Sequence, residues 1–163
     1  MGLIYRKASV SDLKELVDVE VQVVRYANHL PEDKDLGDLG NLFFHYYEKT
    51  LRDPNHVIFI CYSSENRDKI IGVGGISFYS IMPTYQNLTG TRAQILNLYT
   101  HGDYQGKGIA SELVFLLLSE ARHRGVQEVV LEANSDNTTL YERYGFKKTG
   151  NTLLCQLEED NRG

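Results

Sequence analysis

Residues Ala93 to Gly125 join a β-forming run to a long amphipathic helical pattern through a short glycine-containing loop, and this joint limits the folds open to the chain. Ala93-Gln94-Ile95-Leu96-Asn97-Leu98-Tyr99-Thr100 is partly alternating and rich in β-formers, which predicts a strand. Ile109, Leu113, Leu116, Leu117 and Ala121 then recur at helical spacing, Arg122, His123 and Arg124 fall in the last turn, and Gly125 supplies the stop. Between them, Tyr104-Gln105-Gly106-Lys107-Gly108-Ile109-Ala110-Ser111 leads into the N-terminus of the helix. About four amides there lack intrahelical partners, and the aligned peptide dipoles leave roughly half a positive charge. Gly106 and Gly108 let an anion approach the main chain and Lys107 adds a mobile cation, so the joint reads as a phosphate cradle.

Spacing excludes the two commonest nucleotide loops. A nucleotide-hydrolase loop needs two glycines enclosing four residues, followed by Lys and Ser or Thr, whereas Gly102 to Gly106 encloses three and Gly108 follows Lys107. A dinucleotide fingerprint needs a third glycine where this chain has Ser111. The segment instead resembles the acyl-coenzyme A loop of the GNAT superfamily of N-acetyltransferases, Gln/Arg-x-x-Gly-x-Gly/Ala, filled by Gln105, Gly108 and Ala110. Ile95 to Thr100 is similar to that family's fourth strand. Asn134, followed by Leu140-Tyr141-Glu142-Arg143-Tyr144-Gly145-Phe146, is similar to its closing signature. The blocks follow in the family's order from about Ala93 to Phe146.

The resemblance implies an α/β fold of the α+β kind, a twisted mixed sheet flanked by helices and splayed between strands 4 and 5. It implies acetyl-coenzyme A as cosubstrate, with backbone groups of Leu98, Tyr99 and Thr100 on the pantetheine. The main chain of Gln105, Gly106, Lys107, Gly108, Ile109, Ala110 and Ser111 would hold the pyrophosphate. Lys107 has a second reading as an ordinary solvated lysine. Asn134 matches an asparagine that contacts pantetheine or backbone, with helix capping as the alternative, and Asn137, where the family often has Ala, adds a polar group within reach of the cofactor.

Tyr141 occupies the family's proton-donor position, and a phenol with a pKa near 10 can donate to a departing thiolate. For the general base, Gln94 and Asn97 on the fourth strand are ineffective near pH 7. Glu132 on the fifth strand, His101 and plain water stay open. The expected reaction is transfer of an acetyl group to a primary amine by direct attack in a ternary complex. The acceptor is a small molecule or a peptide N-terminus. Two alternatives stand beside it: a non-catalytic acyl-coenzyme A sensor, and an interaction module.

Bulk properties agree with this reading. A chain of 163 residues with 42% hydrophobic content is expected to form one domain over residues 1–163, with 158–163 as a frayed tail. A net charge of −5 argues against nucleic acid or an anionic membrane as partner and suits a cationic acceptor. No apolar run approaches the roughly 20 residues that span a bilayer, and no signal-peptide core is present, so a cytoplasmic enzyme is expected. No metal is expected. Cys61 and Cys155 fall in apolar β-forming runs and read as buried free thiols.

Along the chain, Leu3 to Lys7 predicts a strand, Ser11 to about Tyr26 a capped helix, and Leu36 to Leu51 a second helix with the aromatic run Phe43-Phe44-His45-Tyr46-Tyr47. Val57 to Tyr62 and Ile70 to Phe78 predict a strand pair, and Tyr79 to Arg92 a long loop suited to acceptor selection. Glu128 to Ala133 predicts a fifth strand, Asn134 to Tyr144 a loop and short helix, and Thr149 to Leu157 a late strand able to pair across a homodimer.

Overall fold

The computed structural model describes residues 2–133 and 138–157. The chain divides into two compact units, Met1–Glu132 and Ala133–Gly163. The first holds a five-stranded sheet in sequential order: β1 (Leu3–Lys7), β2 (His56–Ser63), β3 (Asn66–Ser80), β4 (Thr91–Thr100) and β5 (Val129–Val130). The pairings are antiparallel through β4, and β4 and β5 run parallel, so the sheet is mixed and open.

Alternation along β3 decides which helix covers which face. A Cβ placed on Gly72 or Gly74 would point at Ile109, Leu113 and Leu117 of α3 (Ile109–His123). Val73 points the other way, into a cluster with Ile58, Ile60, Ile70, Leu16 and Tyr47. Leu16 comes from α1 (Leu13–Ala27) and Tyr47 from α2 (Leu39–Thr50), so these two helices cover the opposite face. The missing side chains at Gly72 and Gly74 are what let α3 approach closely.

Several element ends differ from expectation, each for a local reason. Ser9 caps the entry to the first helix in place of Ser11: its amide donates to Asp12 Oδ2 at 2.8 Å, and a 3-10 turn over Val10–Asp12 precedes α1. The β2–β3 turn needs only Ser64 and Glu65, so β3 begins at Asn66 and the pair extends past the apolar residues that advertised it. The loop after β3 is correspondingly short and organised around Asn87, which is 1% exposed. Its Nδ2 donates to Thr91 O at 2.7 Å, and its Oδ1 accepts from Thr89 Oγ1 at 2.9 Å.

In the second unit the short helix expected between Asn134 and Tyr144 is α4 (Thr138–Glu142). Residues 149–157 form no strand; Leu153, Leu154 and Leu157 are exposed, and Cys155 is exposed where a buried thiol was expected. An apolar run becomes a strand only where a neighbouring edge supplies ladder hydrogen bonds, and the described residues offer this one none. Cys61, in the middle of β2, is fully buried as expected.

Candidate active site

The β4–β5 pair is joined at one end only. Ala93 pairs with Val129 and Gln94 with Val130, the Ala93 amide donates to Glu128 O at 3.0 Å, and Arg92 forms an ion pair with Glu128. Beyond Gln94 no residue of β5 meets β4, which continues for six residues as Ile95–Thr100. Two sequence expectations therefore meet: the splay is present, and it strips the Leu98, Tyr99 and Thr100 backbone of a β5 partner. The expected fifth strand is two residues long because β4 diverges from it.

A bulge sits in the same stretch. Gly75 pairs with Leu96 and Val73 with Tyr99, so three steps along β4 match two along β3, and Asn97 has a φ of +57°. Such an insertion breaks the ladder and re-aims the backbone beside it. Tyr99 lies past the bulge with its phenol pushed up by burial.

The strand leads straight into the glycine loop expected to cradle an anion. His101 caps a 3-10 turn over Gly102–Tyr104, its Nδ1 accepting from the Asp103 amide at 3.3 Å; this structural task occupies one nitrogen of a residue weighed as a base. Gly106 and Gly108 have φ of +79° and +81°, the left-handed region that favours glycine, and a Cβ on either would meet nothing within 4 Å. The glycines are thus required by backbone angle and leave open space over the loop. Gly108 is the N-cap of α3 and contributes no side-chain cap to the first turn of that helix. Gln105 Nε2 reaches back to Thr100 O at 3.5 Å, which ties the loop to the end of the splayed strand.

Charge at the loop comes from two lysines where sequence pointed to one. Lys107 Nζ lies 5.6 Å and Lys69 Nζ 5.9 Å from the Tyr104 ring centroid. Lys69 enters from the start of β3, far from the loop in sequence, and no motif marked it. A cleft of about 250 Å³ opens beside it, lined by Glu15, Asp18 and Gln22 of α1 together with Lys69, Tyr99 and His101.

A family model for the Acetyltransferase (GNAT) family matches residues 23–146. The chain belongs to the GNAT acetyltransferase family. It is 28% identical over 147 residues to N-alpha-acetyltransferase MAK3 of Arabidopsis thaliana, covering 84% of this chain and 72% of that one. It is 30% identical over 95 residues to human N-acetyltransferase 8, covering 56% of this chain and 40% of the relative. The chain thus spans about two fifths of the length of that relative. A solved structure of a predicted acetyltransferase with acetyl-CoA from Clostridium acetobutylicum matches with a TM-score of 0.82 at 28% identity, over 98% of this chain and 99% of that one.

The residues present fit the cosubstrate of this GNAT family. Thr100 Oγ1 is buried without a partner among the described residues, the β4 backbone is unpaired on its β5 side, and the two glycines leave the cradle clear. Tyr141 lies in α4, half-buried, with its ring edge-on to Phe146 at 6.0 Å and its phenol pushed up by burial. Gly145, with φ +94°, turns the chain back so that the Phe146 amide donates to Tyr141 O at 3.2 Å. Glu132 is exposed just past β5. Asn134 and Asn137 lie outside the described residues. Among the described residues no helix is long and apolar enough to cross a membrane.

Proposed function

We propose that residues 1–163 form one acetyltransferase domain that moves an acetyl group from acetyl-coenzyme A to a primary amine in a ternary complex. The observation that carries this reading is the continuity of the unpaired Ile95–Thr100 edge of β4 with the Gln105–Ser111 cradle. An extended pantetheine arm can add to such an edge as a strand would, and its diphosphate then reaches the first amides of α3. Lys69 and Lys107 add positive charge beside the cradle.

Acetyl-coenzyme A supplies an activated thioester. The chain has to hold the amine against the carbonyl carbon, relieve the amine of a proton and provide one at sulfur. Tyr141 is assigned the last task, because a phenol with a raised pKa stays protonated across the neutral range. Glu132, exposed beyond β5, is the strand carboxylate assigned to relay the amine's proton to solvent. Neither cysteine enters: Cys61 is buried with its thiol pushed up, and Cys155 lies outside the motif blocks, so direct attack is preferred to an acyl-enzyme.

The acceptor class is a cationic amine, small or at a peptide N-terminus, as the net charge of −5 and the acidic wall of the Glu15–Asp18 cleft favour. A thiol-release screen of primary amines with acetyl-coenzyme A, run beside a titration of acetyl-coenzyme A alone, tests the reading. Binding with turnover supports it, binding without turnover for any amine leaves a sensor, and no binding removes the proposal.

A further inference from the structure

Glu20 is a carboxylate with no charged partner. It stands on α1 facing α2, where Tyr47 Oη donates to its Oε2 at 3.2 Å. No donor meets Oε1 among the described residues, and no lysine, arginine or histidine there pairs with it. Charge withdrawn from water without a counter-ion is costly, and a neutral Gln would fill the same volume with less penalty. Such a group is a functional-site candidate when it adjoins the reacting centre.

Glu20 is joined through the aromatic run of α2 to the sheet that carries the unpaired edge. The Tyr46 and Tyr47 rings meet edge to face at 5.3 Å, and Tyr46 is close enough to Glu20 for the carboxylate to hold its phenol proton more tightly. Tyr46 also stands edge-on to His56 at 6.0 Å, and His56 Nε2 lies 3.5 Å from the Cβ position of Gly75, the β3 partner of Leu96, which precedes the left-handed Asn97 of the β4 bulge. A run of ring contacts, Tyr47, Tyr46 and His56, therefore connects the carboxylate to the part of the sheet where the β3–β4 ladder is interrupted. These residues all lie within the first unit.

We propose that Glu20, framed by Tyr46, Tyr47 and Asn97, receives the cationic acceptor amine and takes a proton from its nitrogen. The inference rests on the acetyltransferase reading above and deepens it, moving direct contact with the amine to Glu20. Of the three protons on the ammonium nitrogen, Glu20 passes one to solvent. A second makes good, by way of solvent, the proton that the departing sulfur takes up, and the third stays on the amide. The nitrogen lone pair forms the N–C bond as the C–S bond breaks, and one proton is released overall.

The surroundings suit a proton acceptor. Burial pushes the Glu20 carboxyl up, towards the range in which it can hold a proton from an amine, and the Tyr47 hydrogen bond partly opposes this. The titratable groups facing it are the two phenols of α2, both raised by burial. His56 of β2, edge-on to Tyr46 at 6.0 Å, is pushed down and so held neutral.

The test uses the full chain with putrescine, tyramine and a tripeptide with a free N-terminus as amines. Glu20→Gln should lower kcat/KM for the accepted amine by about 100-fold at pH 7 while leaving acetyl-coenzyme A affinity within about two-fold. The deficit should shrink towards pH about 10, as the free-base fraction of an alkylamine rises. Tyr47→Phe keeps the carboxylate but removes a bond to its charged form, so the rising limb of the pH profile should move up. The side-chain 13C carboxyl signal of Glu20 should shift when the amine is added without acetyl-coenzyme A. A Glu20→Gln variant of wild-type rate, a deficit equal at every pH, or a Glu20 signal indifferent to every amine would overturn the assignment. Failure of the wild-type chain to bind acetyl-coenzyme A sinks the acetyltransferase reading itself.

Discussion

Arg6 grips Asp12 through two contacts of 2.8 Å, Nη1 to Oδ2 and Nη2 to Oδ1, and so bolts β1 to the turn that starts α1. The Asp12 carboxyl, also an acceptor for the Ser9 amide, is held below the usual carboxylate range, first by Arg6 and further by Ser9. Asp12→Asn should destabilise the fold by about 1–2 kcal/mol, a figure moderated by the exposure of Arg6. Because the folded pKa is depressed, this contribution is present above about pH 4 and is lost as pH falls through the folded value. Urea titrations of wild type and Asp12→Asn at pH 7 and pH 3 should show a smaller difference at the second than at the first.

Gly72 leaves no room for a side chain. A Cβ there would sit 2.7 Å from Ile109 Cγ2 and 3.3 Å from Leu113 Cδ1, both on buried residues of α3. Gly72→Ala should therefore cost about 1–3 kcal/mol by overpacking, read as a Tm lower by roughly 2–4 °C per kcal/mol. An unchanged Tm would mean that α3 can shift freely on the sheet.

Gly108 has the opposite environment, open space but a left-handed φ. Gly108→Val should cost about 1–2 kcal/mol of backbone strain and move the first amides of α3 from where a diphosphate would meet them. Calorimetric titration should show acetyl-coenzyme A binding weakened by roughly 10-fold or more, equivalent to about 1.4 kcal/mol. Tight binding by the variant would count against the cradle.

Tyr141→Phe removes the proposed proton donor and leaves the ring against Phe146. Turnover should fall by about 10²–10⁴-fold with acetyl-coenzyme A affinity retained. The donor works while protonated and its pKa is raised, so the wild-type rate should hold up to about pH 10 and fall above it. That alkaline limb should be absent from Tyr141→Phe.

The two thiols should separate cleanly. Cys155 is exposed and Cys61 buried, with burial and then the nearby Tyr5 setting the Cys61 thiol, burial raising it. A maleimide should label Cys155 in the native chain and reach Cys61 only after unfolding, as peptide mass mapping would show. Turnover should survive Cys155 labelling, since direct attack needs no thiol on the protein.

Long, strongly periodic elements were legible in sequence: α1, α3 and the β2–β3 pair lie close to where their apolar spacing put them. The glycine loop was legible too, because Gly106 and Gly108 do locally what glycine permits and nothing distant decides it. The late strand over 149–157 was misread for the complementary reason. Its leucines advertise burial, but a strand exists only with a partner edge, and pairing cannot be read from one segment. Cys155 was misplaced along with it.

What the sequence determined by itself was therefore the donor side of the molecule: a strand, a cradle and a helix contiguous in the chain, which fold next to one another because short connections leave them no alternative. Only the tertiary structure decided the acceptor side. Glu20, Tyr46, Tyr47 and Asn97 come from two helices and a strand spread over 78 positions, numbered 20 to 97, and carry no shared motif. Their relation arises from packing α1 and α2 on the face of the sheet opposite α3, beside the one extra residue in β4 that interrupts its ladder. Burial and bulge geometry are collective properties of the folded chain, so a half-buried carboxylate without a counter-ion becomes visible only once the helices have packed around it.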